Sequence, residues 1–164
     1  MTYIFGRLKN LVYLAVFLNG TITSTSYSVC LNGQPEGILQ CMSNAYSERD
    51  YESYRALLAD DFVYFSGRDS TSWGLKEELA ATKSVFSSAT KINLQFPGDF
   101  KVAPGDTTDT WVLTGVTRNL KIEMMDDGKP KQFTVNNKGQ VVGVRKVAGP
   151  QPHFVIYGWW DSAK

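Results

Sequence analysis

Residues 45–66, AYSERDYESYRALLADDFVYFS, decide the fold. The apolar positions Ala45 and Tyr46 close one helix, which ends at Arg49. Asp50 then offers a side-chain acceptor to the free amides of a second helix whose inward residues are Tyr51, Tyr54, Leu57 and Leu58. This second helix is expected to run through LLADD (57–61) directly into the strand FVYFS (62–66). Phe62 to Phe65 is aromatic and β-branched in every position, so the strand is expected to be covered on both sides. Two helices joined by one or two residues must cross at an angle, and the chain that follows has to cover them.

Upstream, Pro35 suits a first helical position, and Ile38, Cys41, Met42, Ala45 and Tyr46 recur at three- and four-residue steps, giving a first helix over Pro35 to Glu48. Downstream, GRDSTSWG (67–74) reads as loop. A third helix carries Leu75, Leu79, Thr82, Phe86 and Ala89 on one side, with Glu77 and Glu78 near its positive N-terminal end. The period then changes from 3.6 to 2, with Ile92, Leu94 and Phe96 alternating until Pro97-Gly98. Thr110 to Met125 is long enough for one bent strand, Asp127-Gly128 signals a hairpin, and Lys131 to Val147 returns. Gly139 and Gly143 predict bulges that curve the return strand. After Gly149-Pro150, His153 to Asp161 forms the last strand. The expected fold class is α+β, a cone-shaped curved antiparallel sheet wrapped on three N-terminal helices, with a pocket at the open end.

The first 28 residues have a different character. Arg7 and Lys9 precede the apolar run Leu11 to Leu18, Asn19-Gly20 breaks it, and small polar residues follow, which is the layout of an export segment (1–28) ahead of one domain (29–164). The apolar run is shorter than the ~20 residues that span a bilayer. Export to a periplasmic or extracellular space is the expectation. The alternatives are a lipid anchor at Cys30 or an N-terminal membrane anchor, and short of those the chain meets a membrane only in transit. In an exporting context Cys30 and Cys41 can pair across a short loop; the other reading is a buried thiol at Cys41 and an unrelated Cys30.

Charge excludes one large class. The chain has 17 basic and 16 acidic residues, and without residues 1–28, which hold Arg7 and Lys9 and no acid, the formal balance is −1. With no basic run there is no electrostatic footprint for nucleic acid. One histidine and two cysteines at unsuitable spacings predict no metal site, and no motif predicts a cofactor. His153, beside Pro152 at a strand start, is a poor centre for a nucleophilic triad.

The run at 45–66, the segment TSWGLKEELA (71–80) and the last strand ending in GWWD (158–161) resemble the nuclear transport factor 2-like superfamily, in particular its small exported and SnoaL-like members. The resemblance spans about Gln34 to Asp161. It implies a curved sheet enclosing a cone behind three helices, and a membership of isomerases, dehydratases, cyclases and non-catalytic binding modules, so it does not choose a chemistry. Carried over residue by residue, the ketosteroid isomerase general-base aspartate falls on Ser66 and its oxyanion-donating tyrosine on Met42. Neither can serve: a serine without a base does not shuttle the proton, and a thioether has none to donate.

The remaining candidates are polar or aromatic residues on apolar faces. Arg118 shares a strand face with Leu120, Ile122 and Met124 if no bulge intervenes, and Arg145 lies beside Val141 and Val147. A buried guanidinium needs a carboxylate, from the protein or from a ligand, unless it reaches water at the sheet's end. Tyr54, Tyr64, Ser66 and Trp73 complete the set of pocket candidates, and among the other aromatic residues Trp111, Tyr157 and Trp160 are expected mostly in the core. The expected function is a small-ligand-binding or protein-interaction module taking a small apolar or anionic molecule. The rival is a cyclase, isomerase or dehydratase using Tyr54, Tyr64, Asp61 and Ser66. A homodimer through the sheet is a third expectation.

Overall fold

The computed structural model describes residues 33–161. Cys30 and the expected export segment lie outside the described residues. Three helices, α1 (Gly37–Glu48), α2 (Tyr51–Ala56) and α3 (Leu75–Ser88), pack on the concave face of one sheet. Its strands are β1 (Leu58–Ser66), β2 (Thr71–Gly74), β3 (Ala89–Gln95), β4 (Lys101–Pro104), β5 (Thr110–Asp126), β6 (Lys129–Val147) and β7 (His153–Asp161). The order is β2-β1-β7-β6-β5-β3, with β4 also on β5. Every pairing is antiparallel except that of β1 with β7, so the sheet is mixed. Among the described residues no helix is long and apolar enough to cross a membrane.

The junction of α1 and α2 forms as the sequence dictates. Arg49 closes α1 in the left-handed conformation at φ 56°, and the Asp50 carboxylate accepts from the Ser53 amide at 3.0 Å and the Ser53 hydroxyl at 2.5 Å. These two bonds hold the Asp50 carboxyl below its usual range, the hydroxyl contributing most. A group depressed in the folded state stabilises above its unfolded pKa and loses that effect as pH falls through the folded value. Asp50→Ala is therefore expected to cost about 1 kcal/mol at neutral pH, with the difference from wild type shrinking in acid when followed by urea unfolding at several pH values.

Four expectations need correction. Helix α2 stops at Ala56, and Leu58 to Asp61 belong to β1: the Leu57 carbonyl accepts from the Ile156 amide at 2.8 Å, which draws the chain onto β7 before a further helical turn can form. Strand β1 is not covered on both sides, because Phe62 and Tyr64 face inward while Val63 (44% exposed) and Phe65 (37% exposed) face out. Residues 67–74 are only partly loop; after a turn with Ser70 at φ 55°, Thr71 to Gly74 pair with β1. Gly143 does not carry a bulge. The extra residue opposite it is Tyr157 in β7, whose ring lies where a side chain at Gly143 would stand.

Curvature comes instead from two adjacent bulges in the β5–β6 pair. Gly115 (φ 80°) is an extra residue in β5 between the pairs Thr114–Val141 and Val116–Gln140. Next to it, the step from Val116–Gln140 to Arg118–Asn137 leaves one extra residue in β6, at the expected Gly139 (φ 72°). The core between sheet and helices is built from Ile38, Met42, Tyr54, Phe62, Phe86, Leu113, Val142, Val144 and Ile156, among others.

Candidate functional site

At one end of this core the apolar lining gives way to polar groups. Met42, Tyr46, Tyr54, Phe62, Tyr64, Glu78, Leu94, Arg118, Leu120 and Trp159 surround a cavity of about 20 Å³. That is room for a water molecule or the polar head of a small ligand, and too little for a fused-ring substrate.

One wall is organised by Glu78 on α3. Its carboxylate accepts from the Tyr54 hydroxyl at 2.6 Å, the Thr82 hydroxyl at 3.3 Å and the Trp73 indole N–H at 2.9 Å. Tyr46 stands 3.4 Å from the Thr82 hydroxyl and meets Tyr54 and Phe86 edge to face. Burial pushes the Tyr54 phenol well above its ordinary range, with Tyr46 and Glu78 adding to the effect; burial followed by the Glu78 charge raises Tyr46. Both phenols stay protonated at neutral pH.

The opposite wall comes from the sheet. Tyr64 stacks on Trp73 at 4.1 Å with 16° between ring planes and donates to Asp161 at 3.2 Å; the Asn137 amide donates to the same carboxylate oxygen at 2.8 Å. Burial raises the Tyr64 phenol, the Arg118 charge works against that, and Asp161 reinforces it. The Arg118 guanidinium lies 5.6 Å from the Trp159 ring centre, a cation–π geometry, with its Nε buried and unpartnered. Among the described residues it makes no ion pair.

Of the residues singled out in the sequence, Tyr54, Tyr64 and Arg118 line the cavity, and Trp73 joins it through Glu78 and Tyr64. Ser66 does not line it; it ends β1 in register with Asp161. Arg145 is corrected more strongly. It lies on the outer face, over Tyr157, and its two terminal nitrogens donate to Asp61 at 3.1 and 2.7 Å, so the protein supplies its carboxylate and Asp61 is committed outside the cone. That hydrogen bonding also holds the Asp61 carboxyl below its usual range. Trp111 packs edge to face on Phe154, while Tyr157 and Trp160 pair with each other and Trp160 is exposed. His153 lies 3.3 Å from the Gln151 carbonyl oxygen, away from the cavity.

Sequence reasoning missed Glu78, Tyr46, Asn137, Asp161 and Trp159. Glu78 reads as a dipole partner at a helix start, yet it sits at i−4 from the inward Thr82, a spacing that turns it to the same face. Met42, where the resemblance places an oxyanion donor, does line the cavity, and Tyr46 one turn later supplies a phenol there. Cys41 is half-buried and is not a free thiol. Its expected partner, Cys30, lies outside the described residues, so the pairing stands as a proposal. No group of three or more potential metal ligands occurs among the described residues. A larger groove of about 500 Å³ runs along α1, β3, Phe96 and Phe100, but none of the buried unpartnered polar atoms belongs to its lining.

Comparison with known proteins places this geometry. A nuclear transport factor 2-like protein of unknown function in nutrient uptake from Rhodospirillum rubrum shares 16% identity over 80% of this chain and 98% of its own, with a TM-score of 0.55. A protein from Novosphingobium aromaticivorans, provisionally named an aromatic ring hydroxylase, shares 14% over 78% and 85%, with a TM-score of 0.63. A provisionally named dehydratase of the same superfamily from Streptomyces avermitilis shares 16% over 79% and 94%, with a TM-score of 0.55. At these identities the likeness concerns the fold. The search of curated proteins gives no match. The family model of the SnoaL-like domain matches residues 36–139, from the start of α1 to the bulge in β6. The chain belongs to the SnoaL-like family of the nuclear transport factor 2-like superfamily.

Proposed function

We propose that the protein is an exported module that binds a small carboxylate-bearing molecule in its cone, with Arg118 as the anchor. One observation carries the reading: Arg118 has a buried, unpartnered Nε and no carboxylate partner among the described residues, in a cavity whose nearest phenols are neutral. Arg118 is half-buried with its Nε enclosed, and desolvating part of a guanidinium is unfavourable unless an anion compensates it; the Trp159 ring offsets only part of that. Export rests on the order of charged, apolar and small residues in 1–28. A homodimer through the sheet rests on Val63, Phe65 and Trp160, exposed on the neighbouring strands β1 and β7.

The test is thermal unfolding of wild type and Arg118→Met with millimolar acetate, glycolate or propionate. A ligand that binds only the folded state raises Tm with concentration. Wild type is expected to gain, and the variant to gain nothing while unfolding at the same temperature as ligand-free wild type or higher. Absence of any shift in wild type, or a variant that unfolds several degrees lower, overturns the reading.

A second reading, an enzyme of the cyclase, isomerase or dehydratase type, draws on Glu78, which sets a carboxylate in the same cavity as Arg118. Three donors already engage that carboxylate, which favours a binding role for the site over proton shuttling through Glu78.

A further inference from the structure

Gln140 is the anomaly of the interior. It is 0% exposed, yet neither its amide nitrogen nor its carbonyl oxygen has a hydrogen-bond partner. A buried amide left unpaired at both atoms is less favourable than an apolar side chain of the same shape, because it gives up its hydrogen bonds to water and gains none in return. The same condition recurs at two neighbours, Arg118 Nε and Trp159 Nε1.

The sheet topology brings the three together. Strand β6 lies between β5, which carries Arg118, and β7, which carries Trp159. Gln140 is in register with Val116, two residues from Arg118; Val142, two residues on, is in register with Trp159. Gln140, Val142 and Val144 are all fully buried and alternate along one face of β6, the concave face. Arg118 and Trp159 line the cavity, and Gln140, which does not itself line it, lies on the same face of the sheet between their register levels on β6, those of Asn137 and Val142.

Counting the unmet capacity identifies the missing chemistry. Arg118 Nε–H and Trp159 Nε1–H are donors only, whereas Gln140 offers two donor hydrogens and one acceptor oxygen. A bare carboxylate answers the donors and leaves the Gln140 oxygen unsatisfied. A carboxylate with a hydroxyl on the adjacent carbon answers all of them, its oxygens accepting from arginine, indole and amide while its hydroxyl donates to the Gln140 oxygen. We propose that Arg118, Trp159 and Gln140 form a buried subsite selective for a short 2-hydroxy carboxylate. This rests on the reading of the cavity as a carboxylate site and adds its selectivity.

The experiment is calorimetric titration of the wild-type protein with acetate and with glycolate, which differ by the one hydroxyl. A site built to hydrogen-bond a hydroxyl discriminates against the analogue lacking it, so glycolate is expected to bind about tenfold or more tightly than acetate. Gln140→Leu keeps the side-chain volume but removes one donor to the carboxylate as well as the acceptor for the hydroxyl, and is expected to weaken acetate somewhat and glycolate more, so that the glycolate preference is lost. Trp159→Phe keeps a ring beside Arg118 and is expected to weaken both anions alike. Equal binding of the two anions by wild type overturns the selectivity and leaves the carboxylate site standing. Failure of wild type to bind either overturns both. A glycolate preference that survives in Gln140→Leu overturns the assignment to Gln140, and the wild-type ratio decides the selectivity even if that variant does not fold.

Discussion

Ile156→Ala is expected to lower the free energy of unfolding by about 2–5 kcal/mol, read as a lower urea midpoint at unchanged slope. Ile156 is 0% exposed and lies in β7 between β1 and β6, in register with Leu58 on one side and Val144 on the other. Its amide also donates to Leu57 where α2 gives way to β1. The removed atoms leave a void that a strand hydrogen-bonded on both edges cannot collapse to fill, which places the cost in the upper part of the range for large-to-small changes. A loss below about 1 kcal/mol would mean that this junction repacks freely and that β7 does not hold the helices to the sheet.

The second large effect is expected at Glu78. Glu78→Leu removes the acceptor of three donors at once, two of them on the buried residues Tyr54 and Thr82 and the third on the half-buried Trp73. An orphaned buried donor costs about 1–3 kcal/mol, and Thr82 keeps Tyr46 as a neighbour, so a total of about 2–4 kcal/mol is expected. Trp73 is tied both to Glu78 and to Tyr64, and its fluorescence should shift to the red as the indole loosens. Glu78→Gln keeps one acceptor oxygen but turns an N–H₂ toward a donor, so it should recover only part of the loss. If Glu78→Leu is as stable as wild type, the network does not hold α3 to β2, and the carboxylate is free for another role.

The comparison of sequence with structure divides along a physical line. Periodicity reports burial relative to the chain's own neighbours, so α1, α3, β3, β5 and β7 were readable, as was the Asp127-Gly128 hairpin, whose residues adopt φ 50° and 73°. Leu57 to Asp61 was not readable as strand: a leucine-rich run after a capped turn favours helix locally, and pairing with β7, nearly a hundred residues downstream, overrides it. The short strand β4 has exposed residues throughout, so no alternation marks it. Within the site, Arg118 stood out because it is a charge among apolar neighbours, and the structure keeps it on the inner face. Arg145 stood out for the same reason and belongs to the outer face, where Asp61 meets it. A local pattern gives the parity of a side chain but not which parity faces the helices. Glu78, Asn137 and Asp161 are unremarkable in sequence, and only the fold brings Glu78 to the cavity and sets Asn137 and Asp161 behind its Tyr64.

The bulge at Gly115 sets the phase of everything beyond it. Ahead of it, odd-numbered Leu113 is fully buried; after it, even-numbered Val116 and Ile122 are buried, and Arg118 and Leu120 turn into the cavity. One supernumerary residue thus exchanges the two faces of the strand midway, so that the first half fills the base of the cone and the second presents a cation to its interior. Side-chain period in a strand is two, so if Gly115 were taken up as an ordinary position of the ladder instead of bulging out, alternation would run unbroken through the odd-numbered residues from Leu113 onward. The cation would then turn to solvent and Thr117 would take its place. Whether this one residue bulges out or is taken into the ladder therefore decides between a chain with a charged interior and one without, with no change in the identity of any residue.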